Sequence, residues 1–421
     1  MQRQSKPSPI VVVGAGIAGV SAAAELRTQG YTGDILLLSK ESVPPYDRPP
    51  LSKEVLCNDA LPNNLFLRSD SFYAEQHIQL RLGAEVVSID PAKKRVALSD
   101  GASISYSKLL LAMGSRVRQL DGLALGARHV HYLRNVEDAM SLRKDMARLQ
   151  GQGRLSIIGA GIIGLEVAAA ATALGLDVTV IEAGPRPLAR AASAVLAQFL
   201  ADAHAERGID IRCNARIDHI EFHDAGHAIF LSDGARIDAD IVVVGIGVVP
   251  NSELASLAGL ATGPQGIHVD EFGKTSVDDI YAAGEVALHG NTLYTAPRRE
   301  ETWQHAVSHG EHVAKCMLGC REAYAETTSY WTDQYDYAVQ VFGTPIGESD
   351  VVRGDVASGS FMIFHLIDGA VHGVTAVNAA RELRKAKPLV LTRAMLTESV
   401  LGDTSVELAK HMQHRQQHPV G

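Results

Sequence analysis

Cysteine is scarce in this chain of 421 residues: Cys57, Cys213, Cys316 and Cys320 are the only four, and they are scattered. That spacing excludes a disulfide scaffold of the secreted kind and fits a reducing cytoplasm. Aromatic residues make up only 5%, and tryptophan occurs twice, as Trp303 and Trp331. Positive charge is in deficit, with 39 basic against 48 acidic residues. A formal net charge of −9 speaks against nucleic acid or an anionic membrane as a partner. No run approaches the roughly 20 apolar residues of a membrane span. Arg3 and Lys6 precede an apolar stretch in the manner of a signal peptide. That stretch carries a glycine pattern in phase, and cleavage would destroy it, so it reads as mature sequence. The length requires two or three domains.

Glycine, by contrast, is plentiful at 38 residues. Ile10–Val13 reads as a short buried strand that runs into Gly14-Ala15-Gly16-Ile17-Ala18-Gly19 and an Ala-rich helix over Val20–Leu26. A tight strand-to-helix turn needs Gly14, close approach of a pyrophosphate needs Gly16, and helix-on-strand packing needs Gly19. The helix start then aims unpaired N–H groups and a positive dipole end at the phosphates. One such pattern is weak evidence, but it recurs. Leu155–Ile158 leads into Gly159-Ala160-Gly161-Ile162-Ile163-Gly164 and a second Ala-rich helix, Leu165–Leu174. Two dinucleotide sites in one chain serve to bring two rings face to face, which is the chemistry of a flavin, FAD, reduced by a nicotinamide.

The strand ends carry the acids that such folds use for ribose. Ile35–Leu38 is followed by Ser39-Lys40-Glu41, where Glu41 is the carboxylate in reach. Asp177–Ile181 ends at Glu182, which lies 23 residues after Gly159 and close to the roughly 20 of the dinucleotide fingerprint. A carboxylate there accepts both ribose hydroxyls and repels a 2′-phosphate, so NADH is expected. Arg186 and Arg190 are the nearby groups that NADPH would use. Between the two sites, Pro44-Pro45-Tyr46-Asp47-Arg48-Pro49-Pro50-Leu51-Ser52-Lys53 predicts a stiff, non-helical loop ending at a Ser52 N-cap. Arg48 suits a pyrophosphate, and Lys53 suits the flavin ring, where a cation favours the anionic reduced form.

Elsewhere the expectations are structural. Asn135–Leu149 predicts an amphipathic helix with Val136, Ala139, Met140 and Met146 on its apolar face. Ile209–Arg236, with turns at Asp224-Ala225-Gly226 and Ser232-Asp233-Gly234, predicts hairpin strands. His219, His223 and His227 would share one strand face yet lie too far apart for a metal, and no metal site is expected. Asp240–Val249 predicts a buried strand. Cys316 and Cys320 read as core packing.

The chain resembles the FAD-dependent, NADH-dependent ferredoxin reductases of the putidaredoxin-reductase-like group, and more distantly rubredoxin reductases and apoptosis-inducing factor. The likeness is carried by Pro49-Pro50-Leu51-Ser52-Lys53, Gly83-Ala84-Glu85-Val86, Tyr132-Leu133-Arg134 with Glu137-Asp138-Ala139, and Gly159–Glu166. It continues through Gly245-Ile246-Gly247 with Pro250-Asn251, Gly284-Glu285-Val286, and Trp331-Thr332-Asp333-Gln334-Tyr335. The resemblance implies that Val86 offers its backbone to the adenine and that Arg134, Trp303 and Trp331 lie at or near the flavin. It implies that Glu166 faces the nicotinamide amide and that Gly245, Ile246 and Gly247 border the nicotinamide. Lys53, Glu166 and Trp331 are the expected catalytic set. Three positions depart from the pattern: Lys40; Met113 within Ala112-Met113-Gly114, where the family has a threonine; and Glu285, where it has an aspartate on the ribityl chain.

The expected fold is α/β: two Rossmann-type dinucleotide-binding domains plus a C-terminal α+β domain. The FAD part would be 1–116 and 247–327, the NAD part 117–246 and the last domain 328–421. The expected activity passes electrons from NADH through FAD to a [2Fe–2S] ferredoxin feeding a P450 or Rieske-type oxygenase. Rubredoxin reduction and an NADH-sensing flavoprotein are the alternatives. A disulfide reductase would need a cysteine beside the flavin, where this chain has Ser42 and Tyr46. The chain is expected as a monomer or homodimer. For ferredoxin docking, the basic run Arg381-Glu382-Leu383-Arg384-Lys385-Ala386-Lys387 comes first and Arg298-Arg299 next.

Overall fold

The computed structural model describes residues 8–223 and 226–408. Arg3, Lys6 and the turn residues Asp224 and Ala225 therefore lie outside the described residues. Contacts group the chain into two units. The first is built from the segment ending at Asp47, Pro62–Arg116 and Val248–Glu326. The second is built from Arg48–Leu61, Val117–Gly247 and the segment beginning at Thr327.

In the first unit, Ile10–Val13 is the central strand of a parallel five-stranded sheet. The order is Ile280–Ala282, Lys108–Leu111, Ile10–Val13, Ile35–Leu38, Ile78–Arg81. A strand covered on both faces must be apolar at every position. Accordingly, Ile10 and Val12 pack with Leu26, Leu37 and Leu110 on one face, while Val11 and Val13 pack with Leu36, Leu38 and Leu109 on the other. The helix Ile17–Thr28 buries mostly small residues, with Val20 and Leu26. This lets the helix Trp303–Met317 come so close that a Cβ on Gly310 would lie 2.4 Å from the Ala18 carbonyl oxygen.

The second unit holds two sheets of five strands. One is parallel, in the order Asp210–Arg212, Asp177–Ile181, Arg154–Ile158, Ile241–Val244, Val130–Tyr132. The other is antiparallel, in the order Ser329–Gln334, Tyr337–Gly343, Ala370–Val377, Ser360–Ile367, Ser349–Asp355. The helix Ala380–Leu391 packs on it through Leu383, Ala386, Leu389 and Val390.

Four local expectations are corrected. Asp210–Arg212 is not a hairpin strand: after the helix Ala194–Ala205 it returns parallel to Asp177–Ile181, as a crossover does. In the helix Val136–Arg148 the buried face is Val136, Ala139, Leu142 and Met146, and Met140 is exposed. At 100° per residue, Met140 falls about 40° beyond the Val136 edge of the arc those four define. His227 does not share a strand with His219 and His223: it lies buried on the next strand, Gly226–Leu231, while the other two are exposed. The strand expected over Asp240–Val249 stops at Val244, where Gly245 to Gly247 turn out of the sheet.

Candidate active site

The two glycine-rich turns follow one design. Gly14 has φ +105°, and a Cβ there would lie 2.3 Å from the Ala112 carbonyl oxygen. A Cβ on Gly19 would lie 1.9 Å from the Gly14 carbonyl oxygen. Gly159 and Gly164 repeat this, with φ +104° and contacts of 2.5 Å to Gly245 and 2.2 Å to Gly159. The chain's own backbone therefore demands glycine at the first and third positions. The middle glycines are different. Gly16 and Gly161 have φ −71° and −78°, which any residue adopts, and a Cβ on either meets nothing within 4 Å. Nothing in either turn explains them except a group that comes to lie against the backbone. Both are N-caps without a side-chain cap, so no side chain of the cap occupies the first N–H groups of the helices that begin at Ile17 and Ile162. Both turns thus fit a pyrophosphate.

Around the first turn, Gly284 (φ +74°) brings Gly284–Val286 so close to the helix that a Cβ would lie 2.7 Å from that of Ala18. Glu285 is half-buried beside it. The Met113 carbonyl accepts from Asn251 Nδ2 at 2.9 Å, so the backbone bonds at this departure from the family pattern. Glu41 accepts from the Tyr46 hydroxyl at 2.6 Å. Lys40 is exposed and pairs with Glu85 at 2.7 Å, next to Val86. The Trp303 indole donates to Asp47 Oδ1 at 2.7 Å. Burial pushes the Asp47 carboxyl up, and that indole bond opposes the shift.

Around the second turn, Glu182 caps the loop from below. Its oxygens accept from the Ala160 N–H at 2.8 Å and the Gly184 N–H at 2.6 Å. Arg186 is committed to the carbonyls of Pro187, Ala189 and Ala192, which counts against its serving NADPH. Arg190 lies against the Gly245–Gly247 turn: its Nη2 is 3.4 Å from where a Gly247 Cβ would stand. Ile163 is exposed at the helix start beside Ile162.

Glu166, one turn into the second helix, is 4% exposed, so it is no solvated carboxylate. Burial pushes its carboxyl above the usual range, against the pull of Lys53 and two hydroxyls. The Ser52 hydroxyl donates to Oε2 at 2.5 Å and the Thr332 hydroxyl to Oε1 at 2.7 Å, with Lys53 Nζ at 3.5 Å. Lys53 also reaches Asp333 at 3.4 Å. The expected Ser52 N-cap is thereby corrected. Pro49–Ser52 forms a 3₁₀ turn, the following short helix Glu54–Cys57 starts after Lys53, and the hydroxyl is spent on Glu166. The two prolines open that turn because it needs few internal N–H donors. Arg48 Nη1 donates to the Arg134 carbonyl.

Sequence reasoning missed Ser52, Thr332, Gln334 and His204 as members of this site. Gln334 Nε2 donates to Thr332 Oγ1 at 3.1 Å, and its Oε1 meets His204 Nε2 at 2.8 Å. Since an amide oxygen only accepts, His204 Nε2 carries the proton and Nδ1 accepts from the Tyr335 hydroxyl at 2.8 Å. Burial holds His204 below its usual range and therefore neutral. Every donor from Tyr335 through His204, Gln334 and Thr332 points toward Glu166, a polarised chain that stabilises a carboxylate at its end. A period of two along Ser329–Gln334 could have found Thr332 and Gln334 on one face. Trp331 and Asp333 share the opposite, exposed face.

The four cysteines are all free. Burial raises the thiols of Cys57 and Cys213 and pushes Cys316 up to about 12, so none of these three is an activated thiolate. Among the described residues no helix is long and apolar enough to cross a membrane.

These features define a flavin- and nicotinamide-type oxidoreductase, and comparison with known proteins places the chain. Residues 8–310 match the family model of pyridine nucleotide-disulphide oxidoreductases, and residues 329–412 match a reductase C-terminal model. The chain belongs to that pyridine nucleotide-disulphide oxidoreductase family, whose cofactors are FAD and NAD(H). It is 41% identical over 402 residues to the ferredoxin–NAD(+) reductase component of the anthranilate 1,2-dioxygenase system of Burkholderia cepacia, covering 95% of this chain and 98% of the relative. It is 40% identical to rhodocoxin reductase of Rhodococcus erythropolis, covering 95% and 93%. Among solved structures, the reductase in the covalent putidaredoxin reductase–putidaredoxin complex superposes with a TM-score of 0.91 at 35% identity, covering 98% of this chain and 99% of that one.

Proposed function

We propose that this chain is an NADH-dependent ferredoxin reductase of the cytoplasm, passing electrons through FAD to a [2Fe–2S] ferredoxin that serves an oxygenase. The observation that carries the reading is the paired turns, each with a middle glycine that the chain itself does not need. FAD, when bound, supplies the conversion of a two-electron donor's output into single electrons for an iron–sulfur acceptor. The relatives named for dioxygenase and rhodocoxin systems support the choice of acceptor.

The chain's own residues then have these roles. The backbone of Gly14, Ala15, Gly16, Ile17, Ala18 and Gly19 would hold the FAD pyrophosphate, with Lys40, Glu41, Val86, Ala112, Met113, Gly114, Gly284, Glu285 and Trp303 around it. By the family resemblance alone, Arg48, Lys53, Arg134 and Trp331 are also assigned to the flavin. Gly159, Gly161, Ile162, Ile163 and Gly164 would hold the NADH pyrophosphate, Glu182 its ribose, and Arg190, Gly245, Ile246 and Gly247 the rest. Glu166, held by Ser52 and Thr332, would orient the carboxamide of the nicotinamide. Lys53 would favour the charged form of that carboxylate against the effect of burial. The domains divide on this reading into 1–116 with 247–327, 117–246, and 328–421.

The test is direct. Purified protein should be yellow, release FAD on denaturation, and reduce a [2Fe–2S] ferredoxin with NADH. A protein that binds FAD and oxidises NADH yet leaves ferredoxin oxidised while reducing rubredoxin would shift the acceptor. One that reduces neither would sink the reading.

A further inference from the structure

In the first unit, three buried histidine rings lie against one another, His289 and His305 stacked and His309 tilted to both. His289, His305 and His309 are 0%, 3% and 0% exposed. The ring centroids of His289 and His305 are 4.5 Å apart, and that of His309 is 4.7 and 4.8 Å from the other two. Each ring engages one nitrogen. His289 Nδ1 meets the Gly290 carbonyl at 3.1 Å, His305 Nδ1 the Tyr324 hydroxyl at 3.0 Å, and His309 Nδ1 the Gly284 N–H at 3.1 Å. In all three, Nε2 is buried without a hydrogen-bond partner among the described residues. Such orphaned groups are costly if nothing meets them.

The tautomers separate the three. A carbonyl only accepts, so His289 carries its proton on Nδ1 and turns a lone pair out from Nε2. That is the arrangement of a metal-binding imidazole fixed by a backbone carbonyl. For His305, the Tyr324 hydroxyl can accept from Nδ1 and donate to Ser308 Oγ at 2.8 Å, which leaves a lone pair on Nε2 as well. His309 is opposite: its Nδ1 accepts, so Nε2 bears the proton and cannot ligate.

A carboxylate completes the set. Glu300 is 5% exposed, and one of its oxygens lies with a nitrogen of His289 and one of His305 within 4.8 Å of one another. The backbone holds the two histidines in place. His289 and Arg298 exchange two backbone hydrogen bonds of 3.0 Å, and the His305 N–H is capped by Thr302 at 3.2 Å. Arg298 Nε stands 3.1 Å from Glu300 Oε1, so an ion bound there would share the carboxylate with that guanidinium.

We infer that His289, His305 and Glu300 form a buried site for a divalent transition-metal ion such as Zn²⁺. It would tie the strand Ala287–His289 to the start of the helix Trp303–Met317. Two imidazoles and a carboxylate are a donor set suited to Zn²⁺ or Co²⁺ rather than Ca²⁺. Tetrahedral donors about 2.1 Å from one ion lie roughly 3.4 Å apart, so binding would draw the set together by up to about 1.4 Å. Burial makes the role structural: the ion would close the loop between His289 and Trp303, and His309 Nε2–H would be a donor for a water in the fourth position.

The experiment dialyses the FAD-loaded protein against Zn²⁺ and then metal-free buffer, followed by elemental analysis. About one zinc per chain is expected, falling at least tenfold in the double variant His289→Gln/His305→Gln. Co²⁺ should add visible absorption to the red of the flavin bands in wild type only. Because His219, His223 and Glu221 lie close together on the surface, His219→Gln/His223→Gln is the control and should keep its zinc. If the buried double variant does not fold, Glu300→Gln decides: Zn²⁺ should raise the Tm of wild type and leave that variant unmoved. Wild type without zinc, zinc retained in the buried variants, or zinc lost only from the surface variant would each overturn the site.

Discussion

At the scale of single residues, Glu166 decides how the second dinucleotide site behaves. Its folded pKa lies above the ordinary 4.5 because burial outweighs the ammonium and hydroxyls around it. A group raised in this way stabilises the fold fully below its ordinary value, and that contribution is lost as pH rises through the raised value. Glu166→Gln keeps the volume and removes the charge, and the two hydroxyls can turn to suit an amide. The variant should therefore gain Tm relative to wild type as pH rises from 4.5. A difference that stays flat with pH would mean that the carboxylate is not strained by burial. NADH-driven flavin reduction should fall by about tenfold or more, roughly 1.4 kcal/mol of barrier, because the proposed orienting acceptor is gone. Glu182 is a different case. Its oxygens already hold the Ala160 and Gly184 N–H groups, so Glu182→Gln costs the turn one charged acceptor as well as the proposed ribose ligand. Discrimination against NADPH should relax by about 1–3 kcal/mol in the ratio of kcat/KM values. Wild-type preference for NADPH would refute the assignment.

At the scale of elements, the paired turns separate folding from binding within a few residues. Gly164→Ala drives a methyl to 2.2 Å from the Gly159 carbonyl and should destabilise the protein by about 1–3 kcal/mol or prevent folding. Gly161→Ala meets no atom and should cost at most about 1 kcal/mol as a poorer N-cap. It should nonetheless raise the KM for NADH about tenfold with FAD content unchanged. Equal loss of Tm in both variants would remove the distinction. These turns were legible in the sequence because their requirements are local: strand, three glycines and helix lie within a dozen residues. What surrounds Glu166 was not. Ser52 looks like a helix cap, and only the fold brings its hydroxyl to a carboxylate 114 residues away. His204 and Gln334 are 130 positions apart, and no spacing rule links them. The histidine cluster escaped for the same reason. The sequence offered His219, His223 and His227 at even spacing, whereas the stacked rings come from a strand end and a helix.

At the scale of the whole molecule, a net charge of −9 means that overall attraction cannot steer an acidic ferredoxin, so a local basic patch must. The structure sorts the candidates. Arg298 pairs with Glu300 at 3.1 Å and Arg299 with Glu301, so both cations of that run are committed within the first unit. On the helix Ala380–Leu391 the apolar stripe faces the sheet, while Arg381, Arg384 and Lys385 are exposed. Lys387 lies 4.8 Å over the Phe342 ring and belongs to packing rather than to the patch. Lys385 has Glu382 at 2.9 Å, a half-exposed pair worth little, so it still contributes its field. Replacing Arg384→Glu and Lys385→Glu together should raise the apparent KM for ferredoxin by about tenfold. The salt dependence of that KM should weaken at the same time, since fewer screened attractions remain. Ferricyanide reduction by NADH should be unaffected, because a small acceptor needs no docking face and neither residue touches the glycine turns or Glu166. Ferredoxin and ferricyanide reduction falling in step would show that the helix holds the fold together there and that docking lies elsewhere.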